Sequence, residues 1–137
     1  MSLPSGLPEE VSDDEPLARF LTSSGHFNSS KIKQAAFLPN PKDGRTSVFR
    51  HGQEPKASLE AIGNRQIAGR RVYGAGIVKA GDVRAVELDV ESIEPPPRHA
   101  DIINWPWMKD DREFGKAQRK EMAILLAQKS LLVQFSQ

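Results

Sequence analysis

A chain of 137 residues, with 19 Lys and Arg against 18 Asp and Glu, has room for one ordinary core and a net charge of only +1. It contains no cysteine, which excludes disulfides and thiolate-held metals and fits a reducing compartment. No apolar run approaches the roughly 18 residues of a membrane span, and no basic stretch followed by an apolar one opens the chain as in a secretory signal. The expectation is a cytoplasmic protein without a membrane partner.

The small net charge conceals an uneven distribution. Residues 1–16 carry five acids and no Lys or Arg, residues 31–84 carry eleven Lys or Arg against four acids, and residues 85–113 carry eight acids against three bases. A basic middle can attract phosphates if its charges share one face.

In chain order, Pro4, Gly6 and Pro8 among Ser and Glu leave little to bury, so residues 1–11 are expected to be a flexible acidic segment and 12–137 a single globular domain. Ser12-Asp13-Asp14-Glu15-Pro16 has the capping residue, early acids and early proline of a helix start. Leu17, Phe20 and Leu21 at i, i+3, i+4 continue that helix, and Gly25 stops it. Ile32 to Leu38 predicts an extended segment, Pro39 to Gly44 a turn, and Thr46 to Arg50 a strand, together a hairpin-like pair.

Pro55 to Ala68 predicts a helix, facing inward through Leu59 and Ile62 and weakened by Gly63. Val72-Tyr73 and Ile77-Val78 predict short extended pieces separated by Gly74-Ala75-Gly76. Asp82 to Val86 suits one or two helical turns, Leu88 to Ile93 a strand, and Ala100 to Ile103 a buried strand after the stiff Pro95-Pro96-Pro97 connector. Asp110 and Glu113 have capping-box spacing. The apolar recurrence from Gln118 through Leu125 to Leu132 predicts a helix of about 22 residues, roughly 33 Å long, running to Val133. The fold class is α+β, with a small mixed or antiparallel sheet of four to five strands, packed helices and a long C-terminal helix.

The candidate chemistry is sparse. Gly74-Ala75-Gly76 lacks the third glycine of a dinucleotide fingerprint, and no phosphate-loop Gly-Lys-Ser or Gly-Lys-Thr occurs, so no cofactor is expected. His26, His51 and His99 are scattered, unlike the short ligand spacings of a zinc site, so no metal is expected either. His26 past a helix end and His99 at a loop-to-strand junction are placed to act as base and acid, with Arg50 to hold an anion. Asn28 and Ser29 are candidate hydrogen-bonding residues for such a ligand. Arg70 and Arg71 beside Tyr73 form a small basic group with a stacking ring. Trp105 and Trp107, with Leu125 and Leu132 on the wide apolar arc of the final helix, are candidate interface residues.

Three pieces, His26-Phe27, Ser47-Val48-Phe49-Arg50 and Arg98-His99-Ala100-Asp101-Ile102-Ile103-Asn104-Trp105-Pro106, occur in that order with Ala36-Phe37-Leu38-Pro39 between the first two. Across roughly residues 17 to 106 the chain thereby resembles a group of small bacterial proteins with no assigned activity. The resemblance implies no reaction, cofactor or partner.

Two functional expectations follow. The first is an accessory binding protein that forms a homo-oligomer or engages a protein partner through the C-terminal helix and the Trp pair. The second is a small enzyme or binder for a phosphate-containing ligand, nucleotide or RNA, using His26, Arg50 and His99; it requires those three side chains to line one concavity. The residues alone do not decide whether the chain is an enzyme.

Overall fold

The computed structural model describes residues 3–51, 53–67, 69–106 and 112–135. Its strands are β1 (Pro16–Leu21), β2 (Thr46–Phe49), β3 (Gly74–Lys79), β4 (Asp89–Ser92), β5 (His99–Ile103) and β6 (Leu131–Gln134), and its α-helices are α1 (Lys56–Gln66), α2 (Ala80–Ala85) and α3 (Arg112–Lys129). The strands form one sheet in the order β4-β5-β2-β1-β3-β6, every neighbouring pair antiparallel. The α+β class is thus as expected, with six strands where four to five were predicted. The two added strands, β1 and β6, both lie in segments that the apolar spacing assigned to helices. Among the described residues no helix is long and apolar enough to cross a membrane.

β1 corrects the helix predicted from Ser12. Leu17 and Leu21 pack into one core and Ala18 and Phe20 into another, because β1 is a central strand with both faces covered. A short apolar run buried on both sides carries no alternation, and i, i+3, i+4 spacing then imitates a helix. The acids that resembled a helix start have other partners. The Asp13 carboxylate accepts from Arg84 at 2.6 Å and the Glu15 carboxylate from Arg50 at 2.7 Å, while their carbonyls receive the Gly81 and Ala80 N–H groups at the start of α2.

Residues 32–38 are likewise not a strand paired with β2. Phe27 and Ile32 form an isolated bridge, and Gln34–Ala36 is a single 3-10 turn whose loop packs over the sheet. Ile32 lies directly above Gly76, where a Cβ would approach its Cδ1 to 2.5 Å, so a larger residue there would force the Ile32 side chain to move. β3 runs unbroken through Gly74-Ala75-Gly76, which was expected to divide two extended pieces.

The sheet separates two cores. On one face Leu17, Leu21, Val48, Val78, Ala100 and Ile102 meet Val83 of α2, Ala123 and Leu126 of α3, and Phe37 of the loop. On the other Ala18, Phe20, Phe49 and Ala75 meet Leu59 and Ile62 of α1 and Phe135. Phe37 and Leu59 are 0% and 1% exposed, and burial of such side chains contributes about 1.5–3 kcal/mol each. Gly63 serves this packing: a Cβ there would come within 2.9 Å of the Phe20 ring, so the residue that weakens α1 also lets it settle on β1.

α3 is eighteen residues long and ends at Lys129, rather than running to Val133. Ser130 closes it by turning both its N–H and its hydroxyl back to the Ala127 carbonyl, at 3.3 and 2.8 Å. Leu131 then starts β6, which pairs with β3 from Ile77↔Leu131 to Gly74↔Gln134. The apolar arc attributed to a single helix is therefore divided between a helix end and an edge strand. Asp110, of the expected cap, lies outside the described residues.

Ahead of β1 the chain is tied to the sheet. Ser5 donates from N–H and hydroxyl to Glu94 at 3.0 and 2.6 Å, and Val11 is 2% exposed.

Candidate functional site

Arg50 follows β2 and its side chain is 0% exposed. It donates from Nη2 to Glu15 Oε1 at 2.7 Å and from Nε to Glu15 Oε2 at 2.5 Å, and its Nη1 reaches the Pro8 carbonyl at 2.7 Å and Ser92 Oγ at 2.9 Å. Four of the five guanidinium donors are thereby engaged. Arg50 therefore fastens the N-terminal segment and β4 to the sheet and has no fork left for an external anion. A 260 Å³ cavity beside it is lined by Glu15, Arg50, His51, Glu54 and Arg98 among others. There Arg98 Nη1 lies 3.3 Å from Glu54 Oε1 and 3.1 Å from His51 Nδ1. Burial foremost, then the positive charge of Arg98, holds His51 below its ordinary pKa, with Glu54 opposing them.

His99 stands on the opposite face of the sheet from Arg50's neighbour Val48, beside Ser47 and Asp101. Its Nδ1 is 2.9 Å from the Ile93 carbonyl, which can only accept, so the hydrogen-bond network assigns the ring proton to Nδ1. Nε2 is then an acceptor and takes the Ser47 hydroxyl at 2.7 Å. Asp101 Oδ1 lies 3.4 Å from Nε2, and Asp101 Oδ2 accepts from Arg45 at 3.3 Å. A hydroxyl on an oriented imidazole has two parts of a nucleophile site. The third part, a donor pair for a developing oxyanion, is not turned toward Ser47: its strand is laddered to β5 through Ser47↔Asp101, and ladder N–H groups point along the sheet rather than off its face. The pair works as a cross-strand tie.

His26 lies in the 3-10 turn Ser24–His26. Burial, then the nearby Arg19 charge, lowers its pKa, and its Nδ1 has no protein partner among the described residues. Neither cavity described here is lined by more than one of His26, Arg50 and His99. Neither of them brings together the three side chains that the phosphate-ligand expectation requires.

The other predicted residues have local duties. Asn28 Oδ1 accepts from the N–H of Ser30 and Lys31 at 2.9 and 3.0 Å, fixing the turn between Phe27 and Ile32. Arg71 stacks on Tyr73 at 4.5 Å from the ring centroid, with Phe27 on the same ring at 5.9 Å, while Arg70 is exposed and lines neither cavity. Trp105 is 5% exposed within the larger core, so it is a core plug and not an interface residue. Trp107 lies outside the described residues. Leu125 is 41% exposed on α3, and Leu132 is partly buried on β6.

Leu132 and Ser29 line the feature that the sequence did not single out, an open groove of 1130 Å³ between the 29–35 loop, the end of α3 and β6. Its apolar lining residues are Ile124, Ala127, Leu131, Leu132 and Val133 among others, and Leu131 is 67% exposed. Among the described residues that line it, Lys31, Lys33 and Lys56 are charged and none is acidic.

One side of the groove is the β6 edge of the sheet, which no other strand of the described residues covers. Phe135 N–H donates to the Tyr73 carbonyl at 2.9 Å, which sets the phase of the β3–β6 ladder. Residues 131, 133 and 135 exchange bonds with β3, and Leu132 and Gln134 turn their N–H and C=O groups outward. The opposite edge, β4, is partly closed: the Val90 N–H is taken by its neighbour's Asp89 carboxylate at 2.7 Å, and that carboxylate is held by Arg84.

Arg19 positions the wall of the groove. Its Nε donates to the Ala36 carbonyl at 2.8 Å and its Nη1 to the Ser47 carbonyl at 2.9 Å, clamping the 34–36 turn to the sheet. Burial pulls its pKa down to about 10, so it stays charged near neutrality.

The chain matches no protein-family profile, no curated protein and no solved structure.

Proposed function

We propose that this chain is an accessory binding module that takes a segment of another polypeptide into the groove between the 29–35 loop, the end of α3 and β6. The observation that carries this reading is the coincidence in one concavity of an unpaired strand edge, an apolar floor and a largely exposed Leu131. An edge strand left this open is a template for another chain, and fixed loop and helix walls can select what reaches it. The reading keeps the expected association surface but moves it from the Trp pair and the outer face of the helix to the groove.

Selection of displayed random peptides against the folded chain tests it. Selected peptides, made synthetically and titrated into labelled protein, should shift the amide signals of residues 29–35 and 131–134. A selection that yields no binder, or binders that shift only other surfaces, overturns the assignment.

A further inference from the structure

We infer that the occupant of the groove is an extended acidic segment of a partner protein, added to the sheet as a seventh strand beside β6. This rests on the groove being the binding site, as proposed above, and adds the conformation and charge of what it binds.

Conformation follows from the edge. Leu132 and Gln134 each offer an outward N–H and C=O, a repeat that an extended backbone satisfies and a helix does not. Side chains of an added strand alternate between the two faces of the sheet. On one face they meet the apolar floor at Ile124 and Ala127. On the other they lie beside Leu131, which alternates with Leu132 along β6.

Charge follows from the lysines. Lys31 and Lys33 come from the loop over one face, and Lys56 from the start of α1, which covers the other, so cations flank the edge from both sides. None of the salt bridges of the described residues uses any of the three. Across the sheet the edge strand β4 carries Asp89 and Glu91, each paired with an arginine, Arg84 and Arg45, so the lysines without an ion-pair partner belong to the β6 edge. Complementary charge around an apolar contact speeds encounter and selects the partner.

The test uses two peptides of about ten residues, one alternating Glu with Val and Thr, the other identical with Lys in place of Glu. Their binding to the full chain is followed by fluorescence polarisation at low salt. The Glu peptide should bind at least tenfold tighter, a gap within reach of three surface charge pairs, and the Lys31→Glu/Lys33→Glu variant should remove most of that preference. Gln134→Pro deletes one outward N–H and leaves the β3 ladder intact, so it should abolish Glu-peptide binding while melting within a few degrees of the parent, whereas Gln134→Ala, which loses only the side-chain bond to Ser29, should keep that binding. Equal affinity for both peptides sinks the acidic assignment and leaves the groove reading standing. Undiminished binding to Gln134→Pro sinks strand addition, and no binding by either peptide sinks both parts of the inference. Concentration-dependent self-association that Gln134→Pro abolishes would instead identify the occupant as a second copy of the chain, and overturn the inference.

Discussion

Gln134 reaches out from β6 and donates from Nε2 to the Ser29 carbonyl at 3.2 Å, joining the edge strand to the loop that forms the groove's far wall. The contact is exposed, so it contributes little to global stability, on the order of 0.5–1 kcal/mol. Its consequence is local. Gln134→Ala should speed amide exchange in residues 29–33 while shifting the urea midpoint only slightly. A large loss of stability would show that the contact belongs to the core.

Arg19 is the deeper support of the same wall. Replacing it by Met keeps much of the stem and removes donors to the Ala36 and Ser47 carbonyls. The expected cost is about 1.5–3 kcal/mol in urea unfolding, the range for hydrogen bonds from a charged group. Residues 34–36 should lose exchange protection before the sheet does. If they keep it, Arg19 does not clamp the turn.

Arg50 gives the largest predicted destabilisation. Arg50→Ala leaves the Glu15 carboxylate partly buried without its partner, and breaking such a pair costs about 3–5 kcal/mol. Arg50→Lys should recover only part of this, because one ammonium cannot fork onto Glu15 while reaching Pro8 and Ser92. A Lys variant as stable as the parent would refute the clamp.

His26 and His51 make stability pH-dependent. Both have folded-state pKa values depressed below 6.5, so below 6.5 the unfolded chain binds more protons than the folded one. Stability should be fully present above about pH 7 and decline as pH falls through 6.5 toward the lower folded values. The carboxylates of Asp89 and Glu94, also depressed by their hydrogen bonds, add a further decline only as pH falls below about 4.5. Thermal melts at pH 7.5 and 5.5 should differ, and the difference should shrink in the His26→Gln/His51→Gln double variant. A higher melting temperature at pH 5.5 would reverse the sign and contradict the two environments described.

The His99 ring offers a direct spectroscopic check. Nitrogen shifts near pH 7.5 should report a proton on Nδ1 and a free lone pair on Nε2, as its bonds to Ile93 and Ser47 require. A neutral ring protonated on Nε2 instead would leave Nδ1 without a proton for the Ile93 carbonyl and contradict that bond.

Much of the sheet's interior was legible from residue order. Thr46–Phe49, His99–Ile103 and α1 followed from β-branched content, flanking prolines and inward Leu59 and Ile62. β1 was hidden because both of its faces are covered, which removes the alternation that marks a strand. β6 was hidden because Leu131-Leu132-Val133 continues the apolar spacing of α3, and the Ser130 hydroxyl that ends the helix is a weak signal in a sequence. The site suffered most from these two errors. Once β6 was taken as helix, no edge existed for Lys31 and Lys33 to flank, and the histidines and Arg50 drew attention by residue type alone. Arg50 has four of its five donors engaged within the fold, and neither cavity is lined by His26 or His99.

Amide exchange at Leu132 and Gln134, with and without the Glu-rich peptide, tests the central claim most directly. In the free chain both amides should exchange quickly while those of Val133 and Phe135, bonded to β3, exchange slowly. On saturation with the peptide, Leu132 and Gln134 should become protected to the level of their ladder neighbours. If they are already protected in the free chain, or stay exposed in the complex, the free edge of β6 is not where a partner strand is taken.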